Sequence, residues 1–167
     1  MSDRASTAST DPSRSGMDQA IVVPDLPDLG DIDEKPVAQR LAMAFATFMV
    51  GQTLTSENDY PYDPFWIEMD RRTPLTRETF CERMGLPLSD DMLWGPATPM
   101  PPPTEGGYDA ALAYALFNTL LISMRAVLGN LTEVLARAEN VVQVPYFLFG
   151  RLETGALVGV RSISIET

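Results

Sequence analysis

Apolar residues recur at helical spacing through Val37, Leu41, Ala44, Phe45 and Phe48, and Pro36, set behind Asp33 and Glu34, suits the first helical position. The pattern predicts an amphipathic helix that ends near Gly51. A strand follows over residues 65–69. The run from Thr76 to Met84 suits a short helix, with Thr76 as N-cap, Thr79 where a capping box carries an acid, and Gly85 at the stop. Residues 92–107, MLWGPATPMPPPTEGG, read as a long irregular connection whose proline run is a rigid spacer. Residues 109–128 form the most apolar helix. Asn118, Thr119, Ser123 and Arg125 interrupt it too often for a membrane span, so it is expected to lie against a sheet.

The chain closes with two strand-like runs, 140–150 and 156–167, joined by residues 151–155, where Gly155 supplies a hairpin turn. They are expected to pair antiparallel. Pro145 suits an edge position or a bulge. On one face of the last strand Val158 and Val160 give way to Ser162 and Ser164, which predicts that the strand leaves the core as it ends.

Composition narrows the functions open to such a chain. At 167 residues and 45% hydrophobic it can bury one substantial core. Residues 1–34 hold eight acidic residues against two arginines and read as a flexible tail, leaving residues 35–167 as the domain. The formal net charge of -11 disfavours nucleic acid or an anionic membrane as a direct partner and favours a basic protein. Histidine is absent, which removes Ser-His-Asp and Cys-His nucleophiles, histidine bases and histidine metal sites together. The single cysteine, Cys81, forms no internal disulfide and reads as a core thiol. The N-terminal residues contain no apolar signal region, so a cytoplasmic protein is expected. Asp90-Asp91 lacks the spaced ligands of a calcium loop and reads as a solvated pair or cap.

The chemistry concentrates in residues 55–66, TSENDYPYDPFW, with three carboxylates, four aromatic rings and two prolines. Pro61 and Pro64 hold Tyr60 and Asp63 extended. Tyr60, Phe65 and Trp66 read as anchors in the core, whereas Tyr62, between the prolines, is expected to be exposed to a partner. Glu57 reads equally as a partner contact or as a solvated loop charge. A third use, paired carboxylates Glu57 and Asp59 in an enzyme, lacks any basic, histidine or cysteine group beside it.

Ser-Glu-x-x-Tyr-Pro near the first helix, at residues 56–61, and a closing glycine-turn hairpin that ends Ser-Ile-Glu-Thr, at residues 164–167, together resemble the nuclease A inhibitor family. The match covers about residues 36–69 and 130–167; residues 74–128 follow only the rough order of elements, and the tail has no counterpart. The resemblance implies a single-domain α/β fold, an α-β-α sandwich with a mainly antiparallel sheet like that of pathogenesis-related proteins. It implies an inhibitor, not an enzyme, with no cofactor of its own. The implied partner is a sugar-nonspecific DNA/RNA nuclease with magnesium in a basic cleft. Carried over by position, Glu57 stands where the family sets a glutamate against the nuclease, and Thr167 where a terminal threonine reaches toward the metal. Asp59, Tyr62 and Glu166 fall beside them on the same expected acidic face. Glu153, in the final turn, shares that face only if the last strand is short enough. A binding or scaffold domain without inhibitory activity is the alternative.

Overall fold

The helix opening the domain carries its sheet-facing stripe on small residues, and this sets how the layers meet. The computed structural model describes residues 34–54 and 60–166; all belong to a compact unit spanning Asp33–Thr167. Helix α1 (Glu34–Phe48) starts earlier than Pro36 alone implies, and the proline is tolerated inside the first turn because no intrahelical donor is needed there. Glu34, expected at the end of the tail, is thus its first residue. Ala38, Ala42, Phe45, Ala46 and Met49 are buried, whereas Ala44 and Phe48, expected on the core side, are exposed. Alanines on the inner stripe bring α1 close over the sheet, and the larger Val37 and Leu41 are left half-buried at the flank.

Two short strands, β1 (Thr53–Leu54) and β2 (Tyr60–Pro61), pair antiparallel on either side of residues 55–59. Strand β3 (Asp63–Ile67) begins two residues before the expected one. Helix α2 (Arg77–Met84) is capped as expected: Thr76 Oγ1 accepts from Thr79 N at 3.2 Å, and Thr79 Oγ1 accepts from Thr76 N at 3.0 Å, so a threonine performs the acid's part of the box. Gly85 ends the helix in the left-handed conformation.

Inside the segment expected to be irregular lies strand β4 (Leu93–Pro96). Its glycine and proline hide it from local propensity, but it occupies a sheet edge, where a missing donor is cheap. Helix α3 (Gly107–Leu128) agrees with the expected one. Strand β5 (Leu131–Leu135) is short and was not expected; β6 (Gln143–Arg151) and β7 (Leu157–Ile165) form the expected antiparallel hairpin, with Gly155 at φ 113° in its turn.

The strands β3-β7-β6-β5-β4 make one five-stranded antiparallel sheet, so the protein has a mixed α/β fold. Each edge strand carries a proline, Pro64 or Pro96. Pro145, expected at an edge or bulge, lies instead in interior strand β6, with unbroken register to β7. Its carbonyl accepts from Ala136 N at 2.9 Å, so its donor-less nitrogen points to the same side, past the last β5–β6 pair, Leu135↔Tyr146. The proline therefore interrupts nothing.

Side-chain alternation along β6 divides the core between the two sheet faces. Tyr146 and Leu148 join Val158 and Val160 beneath α1, which lies over β3 and β7, and α3, which lies over β5 and β6. Phe147 and Phe149 join Phe65, Leu157 and Val134 against Phe80 and Cys81 of α2. Phe80 stacks on Phe149 with centroids 5.1 Å apart and planes at 11°. Gly159 lies between Phe65 and Phe149 in the ladder; a Cβ there would collide with the Leu148 carbonyl oxygen and come within 2.7 Å of Phe149 Cα.

Among the described residues α3 is the one helix whose length and apolar composition match those of a bilayer span. Its buried residues Phe117, Leu120, Leu121, Met124 and Leu128 face the sheet.

Candidate functional site

Residues 55–59 connect β1 to β2, and both strands contact β7. The attachment is specific. Ser162 Oγ lies 3.1 Å from the Tyr60 carbonyl oxygen and 3.0 Å from that of Pro61, and donates to this pair. Gln143 Nε2 donates to the Tyr60 hydroxyl at 3.3 Å. Ser162 and Ser164 are both buried, so β7 does not leave the core as expected. The apolar-to-polar shift marks a buried seat for backbone carbonyls contributed from far upstream, and a hydroxyl is what can donate to them.

The end of β7 is held with equal definition. Glu166 N donates to Val142 O at 3.0 Å. The Glu166 carboxylate takes a bidentate pair from Arg137, with Nε to Oε2 at 2.6 Å and a terminal guanidinium nitrogen to Oε1 at 2.8 Å. The Arg137 hydrogen bond, aided by its charge and opposed by partial desolvation, holds the Glu166 carboxyl below the ordinary glutamate range. Planar fork-to-carboxylate pairing fixes direction as well as distance. The last described residue is thereby held by both backbone and side chain.

Tyr62, expected to be exposed, is buried, which corrects that expectation. Prolines on both sides extend the chain here, but the ring turns inward and meets Tyr146 edge-on, with centroids 6.3 Å apart and planes at 81°. The Tyr146 hydroxyl donates to Glu133 Oε1 at 3.0 Å. Burial first, and the Glu133 charge second, push both phenols well above their usual range. The core anchor reading extends from Phe65, which is buried, to Tyr60 and Trp66, which are half-buried.

Glu57, Asp59 and Thr167 lie outside the described residues. Glu153 sits in the β6–β7 turn, and the nine residues of β7, rising about 3.4 Å each, put it about 27 Å from Ile165. It therefore does not share a surface with Glu166. Asp90 and Asp91 are exposed, and no group of three or more acidic or cysteine side chains among the described residues is placed to hold a metal. Cys81 is buried beside Met92, Sγ to Sδ 3.7 Å, and burial raises its thiol above the usual value, in keeping with a core role.

Two polar residues at this end were missed: Glu133 and Arg137. The period-two pattern of Leu131-Thr-Glu-Val-Leu135 contained the signal for the first, since it puts Glu133 on the same face as Leu131 and Leu135. Nothing local signals the pairing of Arg137 with a residue 29 positions away. Comparison of the chain with protein-family models and with curated proteins returned no match.

Proposed function

We propose that the protein is an inhibitor that binds a magnesium-dependent, sugar-nonspecific DNA/RNA endonuclease through the end of the sheet where residues 55–59 and the segment after β7 emerge. The observation that supports this reading is the meeting of β2 with the end of the β6–β7 hairpin. Ser162 and Gln143 hold β2 against the same end of the β6–β7 hairpin at which Arg137 and Val142 hold Glu166. Tyr60 and Ser162, 102 positions apart in sequence, are thereby joined, and ordered attachment points lower the entropy cost of presenting what adjoins them to a partner.

On this reading the two-faced helix cover of the sheet is a pathogenesis-related-protein-like α-β-α sandwich, acting in the cytoplasm. Glu57, with Asp59, faces the arginines that hold a phosphate in the nuclease cleft, and Thr167 approaches the magnesium, a hard cation suited to oxygen ligands. Glu166 acts chiefly as an anchor, because its carboxylate is already occupied, and Tyr62, buried against Tyr146, anchors the chain between β2 and β3. The chain itself needs no cofactor and performs no turnover.

The test is inhibition of a panel of magnesium-dependent, sugar-nonspecific nucleases on double-stranded DNA. Stoichiometric loss of activity with a matched enzyme is expected. Glu57→Gln keeps the side chain's size, so it should leave folding intact and weaken binding by roughly 2–5 kcal/mol if it meets a buried arginine. Thr167→Ala should weaken inhibition while leaving unfolding unchanged. Tight binding without loss of nuclease activity would favour the second reading, a binding domain of the same fold, to which the internal use of Glu166 also lends itself.

A further inference from the structure

Glu133 occupies an unusual place for a carboxylate. It lies on the interior strand β5, on the face covered by α1 and α3, between Leu131 and Leu135 in the alternation, and it is half-buried. Taking a carboxylate out of water is costly unless hydrogen bonds or an opposite charge replace the lost hydration. Tyr146 supplies one hydrogen bond, to Oε1. Among the described residues no cation pairs with Glu133.

The space beside it is open. Glu133 lies opposite Gly95 of β4, and a Cβ built on Gly95 would meet nothing within 4 Å. A cleft of about 280 Å³ results, with Glu133 as its one charged group, Leu93 and Leu135 as its apolar walls and the β4 strand from Leu93 to Pro96 along its edge. Leu93 is half exposed, so the mouth is apolar as well. Buried Tyr146, braced edge-on by Tyr62, holds the carboxylate in one orientation from behind.

We propose that this cleft is a binding site for a single organic cation on a short apolar stem, an alkylguanidinium or alkylammonium group. The carboxylate supplies the complementary charge, and Leu93 and Leu135, paired across β4 and β5 on the same face, take the stem. The lining argues against other ligands. A magnesium or calcium ion needs about six oxygen ligands, and the cleft offers one carboxylate. Phosphates and carboxylates would meet a like charge. A neutral ligand would cover the carboxylate without replacing its water. The volume lies just below that of ordinary small-molecule pockets and suits a ligand the size of one basic side chain. This assignment is independent of nuclease inhibition.

Gly95, opposite Glu133 and lining the cleft, supplies a backbone amide signal that reports binding in an assigned heteronuclear NMR spectrum. Butylguanidinium should shift the Gly95 amide signal saturably, with a Kd in the millimolar range, while its neutral isostere butylurea should not. Glu133→Gln retains an acceptor for Tyr146 and so preserves the fold. It should weaken butylguanidinium by about tenfold or more, as expected for losing a charge-assisted contact. A blocked Ala-Arg-Ala tripeptide separates the two sources of the cation. Affinity equal to that of butylguanidinium assigns the cleft to a basic side chain of a protein, and binding of the small cation alone assigns it to a free amine or guanidine. The proposal is overturned if butylguanidinium gives no saturable shift, if butylurea shifts the signal equally, or if Glu133→Gln binds as well as the native chain.

Discussion

The two faces of the sheet solve burial in opposite ways. Against α2, Phe65, Phe147 and Phe149 meet Phe80, and Trp94 closes the edge at 5.5 Å from Phe80, with no polar side chain in the cluster. Against α1 and α3 the face begins as apolar, with Leu148, Val158 and Val160, and turns polar toward the end of β7, where Tyr62, Tyr146, Ser162, Ser164 and Glu133 lie. Ring packing depends on shape and area and tolerates approximate direction. Buried hydroxyls and carboxylates tolerate little, because each must find its partner. Among the described residues no buried side-chain nitrogen or oxygen lacks a hydrogen bond. One face therefore supplies stability, and the polar half of the other specifies the geometry on which both binding proposals rest.

That contrast is most easily broken on the aromatic side. Phe80 is wholly buried and touches Phe65, Phe147, Phe149 and Trp94. Phe80→Ala should cost about 3–5 kcal/mol, read as a lower urea midpoint, whereas a loss below about 1 kcal/mol would mean that the rings do not carry the fold. Gly159→Ala comes next. Its methyl would strike the Leu148 carbonyl oxygen, and the backbone shift needed should cost about 1–3 kcal/mol in the same titration.

On the polar side the effects should be smaller and more local. Tyr146→Phe leaves the ring and removes the donor to Glu133, so a loss of about 1 kcal/mol is expected, with the far-ultraviolet spectrum unchanged. A loss as large as that of Phe80→Ala would erase the distinction between the faces. Arg137→Ala should cost least, about 0.2–1 kcal/mol, since both partners remain about a third exposed. Its pH dependence has a definite sign. The Glu166 carboxyl is held below its unfolded value, so the pair stabilises above the ordinary glutamate pKa of about 4.3 and loses that contribution as pH falls toward the lower folded value. The difference between native and Arg137→Ala proteins should be constant near neutrality and vanish in acid. A difference that grows on acidification would exclude the pair as its source.

Helix α2 and the β6–β7 hairpin were readable because their signals are local: Thr76, Thr79 and Gly85 lie within ten residues of one another, and Gly155 sits in the turn it makes. The α3 boundaries likewise follow from a long apolar run closed by Gly129. Strand β4 was unreadable. Gly95 and Pro96 disfavour a strand by propensity, and only pairing with β5, nearly 40 residues later, makes them one. The inner stripe of α1 was misplaced by weighting large residues, when close packing on a sheet selects alanine.

The candidate site divides along the same line. The sequence alone marks residues 55–66 as acidic, aromatic and stiffened by proline, and marks the last strand as apolar giving way to serine. Whether Tyr62 points outward, whether Ser162 and Ser164 are solvated, and whether Glu166 is free depend on what lies across from them. Those neighbours are Tyr146, the carbonyls of Tyr60 and Pro61, and Arg137, each set there by sheet register and by the β1–β2 attachment. Local pattern determines which residues can form an element and which side chains carry chemistry. Burial and partnership belong to pairs of residues distant in the chain, and only the tertiary structure brings those pairs together.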